Sequence, residues 1–209
     1  MNSSKGNRGT NAGVAGTLRV IGGKYRRRLI RVPARPGLRP TPDRVRETLF
    51  NWLGQDLDGL ACLDLYAGSG ALGFEAASRG AARVVLVEKD RAAVAELERS
   101  RAALDATQVT IVSGDAAAYL ARECGRFDVV FLDPPFRQNA VPAILGKLPS
   151  RLEPGARVYV ESEAPVEVAA PWTELKRARA GQVSYQLLLW DGGISTRGGH
   201  DQGGISGNV

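Results

Sequence analysis

From residue 60 onward the chain alternates short apolar runs with helical stretches, and this alternation limits the possible folds more than any other feature. The runs LACLDLY (60–66), RVVLVE (83–88), VTIVS (109–113), FDVVFLD (127–133) and ARVYVES (156–162) are strand-like. Helical stretches lie between them, near 71–80, 90–105, 115–123 and 139–149. Strands that are apolar over most of their length must be covered on both faces, the condition met by a parallel sheet built from strand–helix–strand units. ELKRARA and QVSYQLLLW, within 173–190, stand close enough together to be an antiparallel pair. The prediction is an α/β protein with a doubly wound, seven-stranded, mainly parallel sheet. Ligands of such sheets bind outside the carboxyl ends of the strands.

The region ahead of the alternation differs in charge. Residues 1–46 carry 12 Lys and Arg against the single acid Asp43, a net +11; residues 47–209 are net −5, so the overall +6 conceals a division. A basic segment on an acidic body is the pattern of a docking arm for a polyanion, nucleic acid above all. The alternative is an N-terminus that only solubilises. In KYRRRLIRVPARPGLRP (24–40), however, the charges interleave with Tyr, Leu, Ile and Val, which fits a folded arm. TLRVIGG and KYRRRLIRV read as two strands joined at Gly22-Gly23. In TPDRVRETLFNWL (41–53), Thr41 is the expected N-cap and Pro42 the first helical residue, and Val45, Leu49, Phe50, Trp52 and Leu53 form the apolar face. The expected organisation is a disordered tail (1–16), a basic extension of hairpin plus helix (17–56), a ligand-binding domain (57–191) and a disordered Gly-rich tail (192–209).

Acids stand at or near four consecutive strand ends: Asp64, Glu88, Asp115 and Asp133. Any one alone would be read as a helix cap or a solvated turn residue. Four on the rim where ligands bind are hard to ascribe to capping. In DLYAGSGALG (64–73), Gly68, Gly70 and Gly73 satisfy G-x-G-x-x-G between a strand and a helix, and Glu88 follows Gly68 by 20 residues, where an acid accepts bonds from ribose hydroxyls. A dinucleotide would set its pyrophosphate on the helix N-terminus after such a turn. The Asp64 carboxylate would oppose that anion. S-adenosylmethionine has an ammonium and a sulfonium in place of phosphate, so the charge of Asp64 favours it.

These segments, with SGDA (113–116) and DPPF (133–136), resemble class I S-adenosylmethionine-dependent methyltransferases that act on exocyclic amino nitrogens. More closely, RVIGGKYRRRLIRVP, LRPTPDRVRETLFNWL, LDLYAGSGALGFEAASRGA and DPPF, in this order, resemble the RsmD family of bacterial 16S rRNA methyltransferases, from about Leu18 to Trp190. Phe74 and Ala77 stand where Leu is expected in that pattern. The resemblance implies a Rossmann-like methyltransferase that transfers a methyl group from S-adenosylmethionine to guanine N2 in 16S rRNA, at position 966. In that reading Asp133 and the Pro134 carbonyl accept the two N–H bonds of the amine and stabilise the charge that develops on it, Pro135 helps to fix the carbonyls, and Phe136 gives the unstacked base a face to lie on. The expected cofactor set is Asp64, Tyr66, Ala67, Gly68, Ser69, Gly70, Glu88, Lys89, Asp115 and Ala116. The expected RNA-facing set is Lys24, Arg26, Arg27, Arg28, Arg39, Thr41, Arg44 and Arg46. Trp172 and Trp190 are read as core or sheet-edge aromatics in preference to base-stacking faces.

Other chemistries find little support. The one histidine, His200, lies in the Gly-rich tail, and Cys62 and Cys124 lack metal-ligand spacing, so no metal is expected and the thiols are expected to be reduced. No apolar run reaches the roughly 20 residues of a membrane span, and residues 1–17 lack the apolar core of a signal peptide. A cytoplasmic monomer acting on 16S rRNA, within a 30S subunit or an assembly intermediate, is the expectation. Two alternatives remain: a DNA adenine-N6 methyltransferase, which DPPF permits, and a non-catalytic RNA-binding assembly factor.

Overall fold

The alternation folds as strand and helix in the order expected. The computed structural model describes residues 14–33, 41–122, 125–135 and 140–192. Phe136, Arg39, Cys124, His200 and most of both tails lie outside these residues. An antiparallel hairpin of β1 (Val14–Arg19) and β2 (Leu29–Pro33) is followed by α1 (Asp43–Leu53). Then come β3 (Ala61–Asp64), α2 (Ala71–Ser78), β4 (Arg83–Glu88), α3 (Arg91–Leu104), β5 (Val109–Ser113), α4 (Ala116–Arg122), β6 (Phe127–Leu132) and α5 (Ala140–Leu145). A 3-10 turn at Pro149–Arg151 leads into β7 (Leu152–Ser162), and β8 (Trp172–Ala180) and β9 (Val183–Trp190) close the sheet.

The seven strands β3 to β9 lie in the order β5-β4-β3-β6-β7-β9-β8. The first five pair in parallel, and β9 pairs antiparallel with both β7 and β8. The chain runs outward from β3 to β5, then returns to place β6 on the other side of β3. That reversal opens the crevice at the carboxyl ends of β3 and β6. Alternate residues serve opposite faces: Val84 and Leu86 enter one hydrophobic cluster, Val85 and Val87 the other, and Val129 with Phe131 and Val130 with Leu132 divide likewise. Cys62 is buried in the first cluster, and burial pushes its thiol up to about 12, which keeps it protonated and unreactive. Trp172 and Trp190 pair across β8 and β9 with ring centroids 4.9 Å apart, as sheet-edge aromatics should.

The basic extension is not a separate body. Leu18, Val20, Tyr25, Ile30 and Val32 share one hydrophobic cluster with Val45, Leu49, Phe50 and Leu53 of α1 and with α2 and the sheet. The boundaries also differ from expectation. β1 begins at Val14, inside the predicted tail, and β2 begins only at Leu29. Lys24 to Arg28 form a turn, closed by bonds from Arg26 N to Gly23 O and from Arg28 N to Tyr25 O, with Arg27 at φ 70°. A left-handed residue interrupts any strand there. The turn presses on the C-terminal end of α2, where Lys24 N donates to Ser78 O (2.7 Å) and Tyr25 N to Ser78 Oγ (2.8 Å). A Cβ at Gly23 would come within 1.8 Å of Ser78 O, so only glycine permits this approach.

Glu75 of α2 fastens the extension. Its fully buried carboxylate accepts bonds from Ile21 N and Gly22 N (both 2.8 Å), pairs with Arg79 at 2.8 Å and faces Arg46 of α1 at 3.5 Å. Arg46 was expected to face RNA. It is instead 0% exposed, donating to Arg19 O (2.9 Å) and Asp43 (2.7 Å) while facing Glu75, because it projects from the buried side of α1. Replacing Glu75 with Ala would leave Arg46 charged and buried with only the exposed Asp43 as counter-ion, and would leave Arg79 without its partner. The loss should be about 3–5 kcal/mol of folding stability in urea denaturation. An unchanged midpoint would mean that apolar contacts alone hold the extension.

Candidate active site

Two buried carboxylates brace the glycine turn. Asp64, 2% exposed at the end of β3, accepts the backbone N–H of Gly73 (Oδ2, 3.2 Å), and the N–H of Tyr66 nearby also favours its ionised form. Glu88, at the end of β4, accepts Gly68 N (2.9 Å) and Asp90 N (2.8 Å). Between them Ala67 N bonds Val87 O and Leu65 N bonds Phe131 O, which ties the turn to both neighbouring strands. Gly68 and Gly70 take φ values of 53° and 78°. A Cβ at Gly73 would lie 2.0 Å from Leu86 Cδ2, so this glycine lets α2 lie close on the sheet. Asp64 therefore occupies a first-turn N–H of α2, the group to which a pyrophosphate would bind. The donor set suits a cationic ligand with a ribose near Glu88 and does not suit a dinucleotide.

Asp133 follows β6, the strand beside β3. Its carboxyl is held well above the usual carboxylate range, first by burial, then by the nearby charges of Glu161 and Asp64, against a lowering bond from Thr41. Pro134 is buried and Pro135 exposed. Sequence reasoning missed Glu161. It lies one residue before the end of β7, whose register pairs Val160 with Leu132, so Glu161 stands beside Asp133. Glu161 is 6% exposed, accepts a bond from Tyr159 Oη at 2.7 Å, and is raised by burial. Its place as a fifth strand-end acid was the available signal.

Thr41 was expected to cap α1. The cap position falls to Pro42 and carries no side-chain bond. The buried Thr41 hydroxyl turns instead to the carboxyls of Asp133 and Glu161. The other expected residues scatter more widely. Asp115 is exposed and its Oδ1 accepts Ala117 N (2.9 Å) and Ala118 N (3.1 Å), so it caps α4 whatever else it does. Tyr66 is half-buried beside the turn, Ala67, Ser69 and Ala116 are buried, and Lys89 is exposed. Lys24, Arg26, Arg27, Arg28 and Arg44 are exposed, with Arg28 bonded to the Ala103 carbonyl of α3. Among the described residues, no group of three His, Cys, Asp or Glu side chains is arranged to hold a metal ion. No described helix is long and apolar enough to cross a membrane.

Burial pushes Asp64 up to about 7, against bonds from Gly73 and Tyr66 that lower it. In the unfolded chain the same group ionises near 3.8. The folded state thus keeps a proton the unfolded state has lost, so this contribution to stability is complete below pH 3.8 and disappears as pH rises through 7. Relative to Asp64→Asn, the ligand-free wild type should lose about 2–3 kcal/mol between roughly pH 5 and pH 8, as read by chemical denaturation. A difference independent of pH would return Asp64 to an ordinary carboxylate.

The family profile described as "Conserved hypothetical protein 95" matches residues 18–189. Ribosomal RNA small subunit methyltransferase D of Escherichia coli (strain K12) is 44% identical over 178 residues, covering 83% of this chain and 90% of that protein. The protein of the same name from Haemophilus influenzae is 41% identical over 180 residues, covering 82% and 93%. Among solved structures, a putative methyltransferase, yhhF, from Escherichia coli superposes with a TM-score of 0.77 at 44% identity, covering 84% of this chain and 99% of that one. With a glycine turn braced by two carboxylates and Asp133 in the adjoining crevice, the chain belongs to the RsmD family of ribosomal RNA methyltransferases.

Proposed function

We propose that this protein methylates N2 of a guanine in 16S rRNA, at the position the family resemblance implies, with S-adenosylmethionine as donor. The observation that carries the reading is the placement of Asp133 beside Asp64 at the β3–β6 reversal, with buried Pro134 next to it. Asp64 and the α2 turn would hold the cationic end of the cofactor, Glu88 its ribose, and Asp115 and Ala116 its adenine. The cofactor supplies a methyl group activated by its sulfonium.

Guanine N2 is a poor nucleophile because its lone pair is delocalised into the ring. Asp133 and the Pro134 carbonyl accept its two N–H bonds and bias it towards a tetrahedral geometry. They also stabilise the positive charge that appears as the N–C bond forms. The nitrogen then loses a proton to the Asp133 carboxylate or to water. Pro135 restricts the backbone at this point, and Phe136, next along the chain, is assigned the stacking face on its sequence position. The base must leave its stack to reach this crevice. We place the work in the cytoplasm, on RNA within a 30S particle or its precursor, by a monomer without a metal ion.

Asp133→Asn should bind S-adenosylmethionine nearly as the wild type does yet lose about 10²–10³-fold in turnover. The assay is transfer of labelled methyl to unmodified 30S particles, with duplex DNA alongside. Near-normal turnover would remove Asp133 from the chemistry. Transfer to DNA adenine alone would make this a DNA enzyme, and no transfer to either would favour an assembly factor.

Lys24, Arg26 and Arg27 lie at the end of α2 opposite the glycine turn, about 12 Å along its axis, so they are assigned phosphates away from the target base. Arg28 is left in place because it is bonded to α3. Changing the other three to Ala should reduce the log–log salt slope of 30S binding by about two to three units without altering cofactor affinity. An unchanged slope would assign RNA contact to other residues, of which Arg44, exposed near Thr41, is the first to test.

A further inference from the structure

The β6–β7 register sets Asp133 and Glu161 side by side on parallel strands, and a single hydroxyl, that of Thr41, stands against both. Tyr159 Oη donates to Glu161 at 2.7 Å, and burial first, then the neighbouring Glu161, pushes that phenol upward, so it stays a donor. The Thr41 hydroxyl lies close to both carboxyls and favours the ionised form of each. A hydroxyl has one hydrogen and donates it once. Its second carboxyl contact is satisfied only when that carboxyl is itself protonated and donates to Thr41 Oγ. Among the described residues, the groups that face this pair are Asp64 from β3, Thr41 just ahead of α1, Tyr159 from β7 and, behind Tyr159, Tyr185 from β9. None is a cation.

We infer that Glu161 is a positioning residue for Asp133: joined through Thr41 and braced by Tyr159, the two carboxyls share one proton, and Glu161 thereby sets the pH at which Asp133 becomes an acceptor for the substrate amine. This rests on the guanine-N2 reading of the site. Two like carboxyls side by side, Glu161 buried and Asp133 half-buried, do not both ionise readily, and the first proton held belongs to the pair. The device delays full charge in the crevice, and a hydrogen-bonded amine offers Asp133 donors in place of that proton. Thr41 acts in the opposite sense to Glu161, because its donated bond favours the ionised form.

The two effects predict shifts of opposite sign. Glu161→Gln removes the like charge and keeps an acceptor for Tyr159, so the acid limb of the kcat–pH profile should move down by about one pH unit. Thr41→Val removes the donor, and the limb should move up. Thr41→Ser restores the hydroxyl, and the limb should return to the wild-type position. Turnover on unmodified 30S particles is followed from about pH 5 to 9, with the KM for S-adenosylmethionine measured at each point. A merely structural role would lower activity at every pH and leave the limb in place. That result, or shifts of the same sign, overturns the inference. So does a wild-type profile with no acid limb in this range. If Glu161→Gln does not fold, the Thr41→Val and Thr41→Ser pair decides alone. Asp133→Asn in the same assay separates the two levels. Lost turnover beside unmoved limbs defeats only the pairing, while retained turnover defeats the reading of the site and the pairing with it.

Discussion

The fold depends on one buried carboxylate. Glu75 takes two backbone N–H bonds from the turn at Ile21 and Gly22, pairs with Arg79 on its own helix and faces Arg46 from α1. A charge this deep is tolerable only when its bonding capacity is filled. The same helix carries the glycine turn at its other end, and every residue from Ala71 to Ser78 is buried. α2 is therefore a strut with the glycine turn at its head and the basic extension at its foot. Arg46, drawn inward to Glu75, fixes the first turn of α1, and Thr41 just ahead of it is set against Asp133 and Glu161. Displacing Glu75 would disturb the extension and the catalytic crevice together.

At the head of the strut electrostatics select the ligand. Negative charge near a helix N-terminus is stabilised by the dipole and by free N–H groups. Asp64 uses one of those groups and is still held up to about 7, so burial outweighs the bonds. Asp64, Asp133 and Glu161, crowded together, would gain from a cation and lose from a phosphate. A ligand that brings an ammonium and a sulfonium relieves the strain of those charges, and a pyrophosphate adds to it. The shared glycine motif is thus separated from dinucleotide binding by Asp64 at the foot of the turn.

Features governed by neighbours in sequence were legible before the structure. The strands 83–88 and 109–113 have the extents expected, and the glycine turn lies where strand yields to helix. What escaped depends on partners far along the chain. Arg46 reads as one more surface cation until Glu75, on another helix, turns it inward. Thr41 followed by proline reads as a cap, and only the fold brings Asp133 and Glu161 to its hydroxyl. Glu161 lay in a recognised strand, but its meaning comes from the β6–β7 register. The basic run at 24–28 has strand composition, and what makes it a turn is its seat on Ser78, which requires Gly23 and a left-handed Arg27.

The same docking changes what the charge division means. A flexible basic arm would gather RNA without regard to geometry, because phosphate attraction carries little information about sequence. Here the basic turn is bonded to one end of α2, and the crevice lies beyond the other end. If that turn contacts phosphate as proposed, the spacing between those contacts and the extruded base is fixed by a buried helix. A rigid spacing rewards only an RNA whose folded backbone presents a phosphate and a reachable guanine at that separation. Misplacement by even an ångström at the reacting nitrogen is costly in rate. Under the proposed function the extension would contribute to specificity through shape: it would set which folded RNA can be bound at both points at once, and the carboxylates in the crevice would act only on the base so delivered.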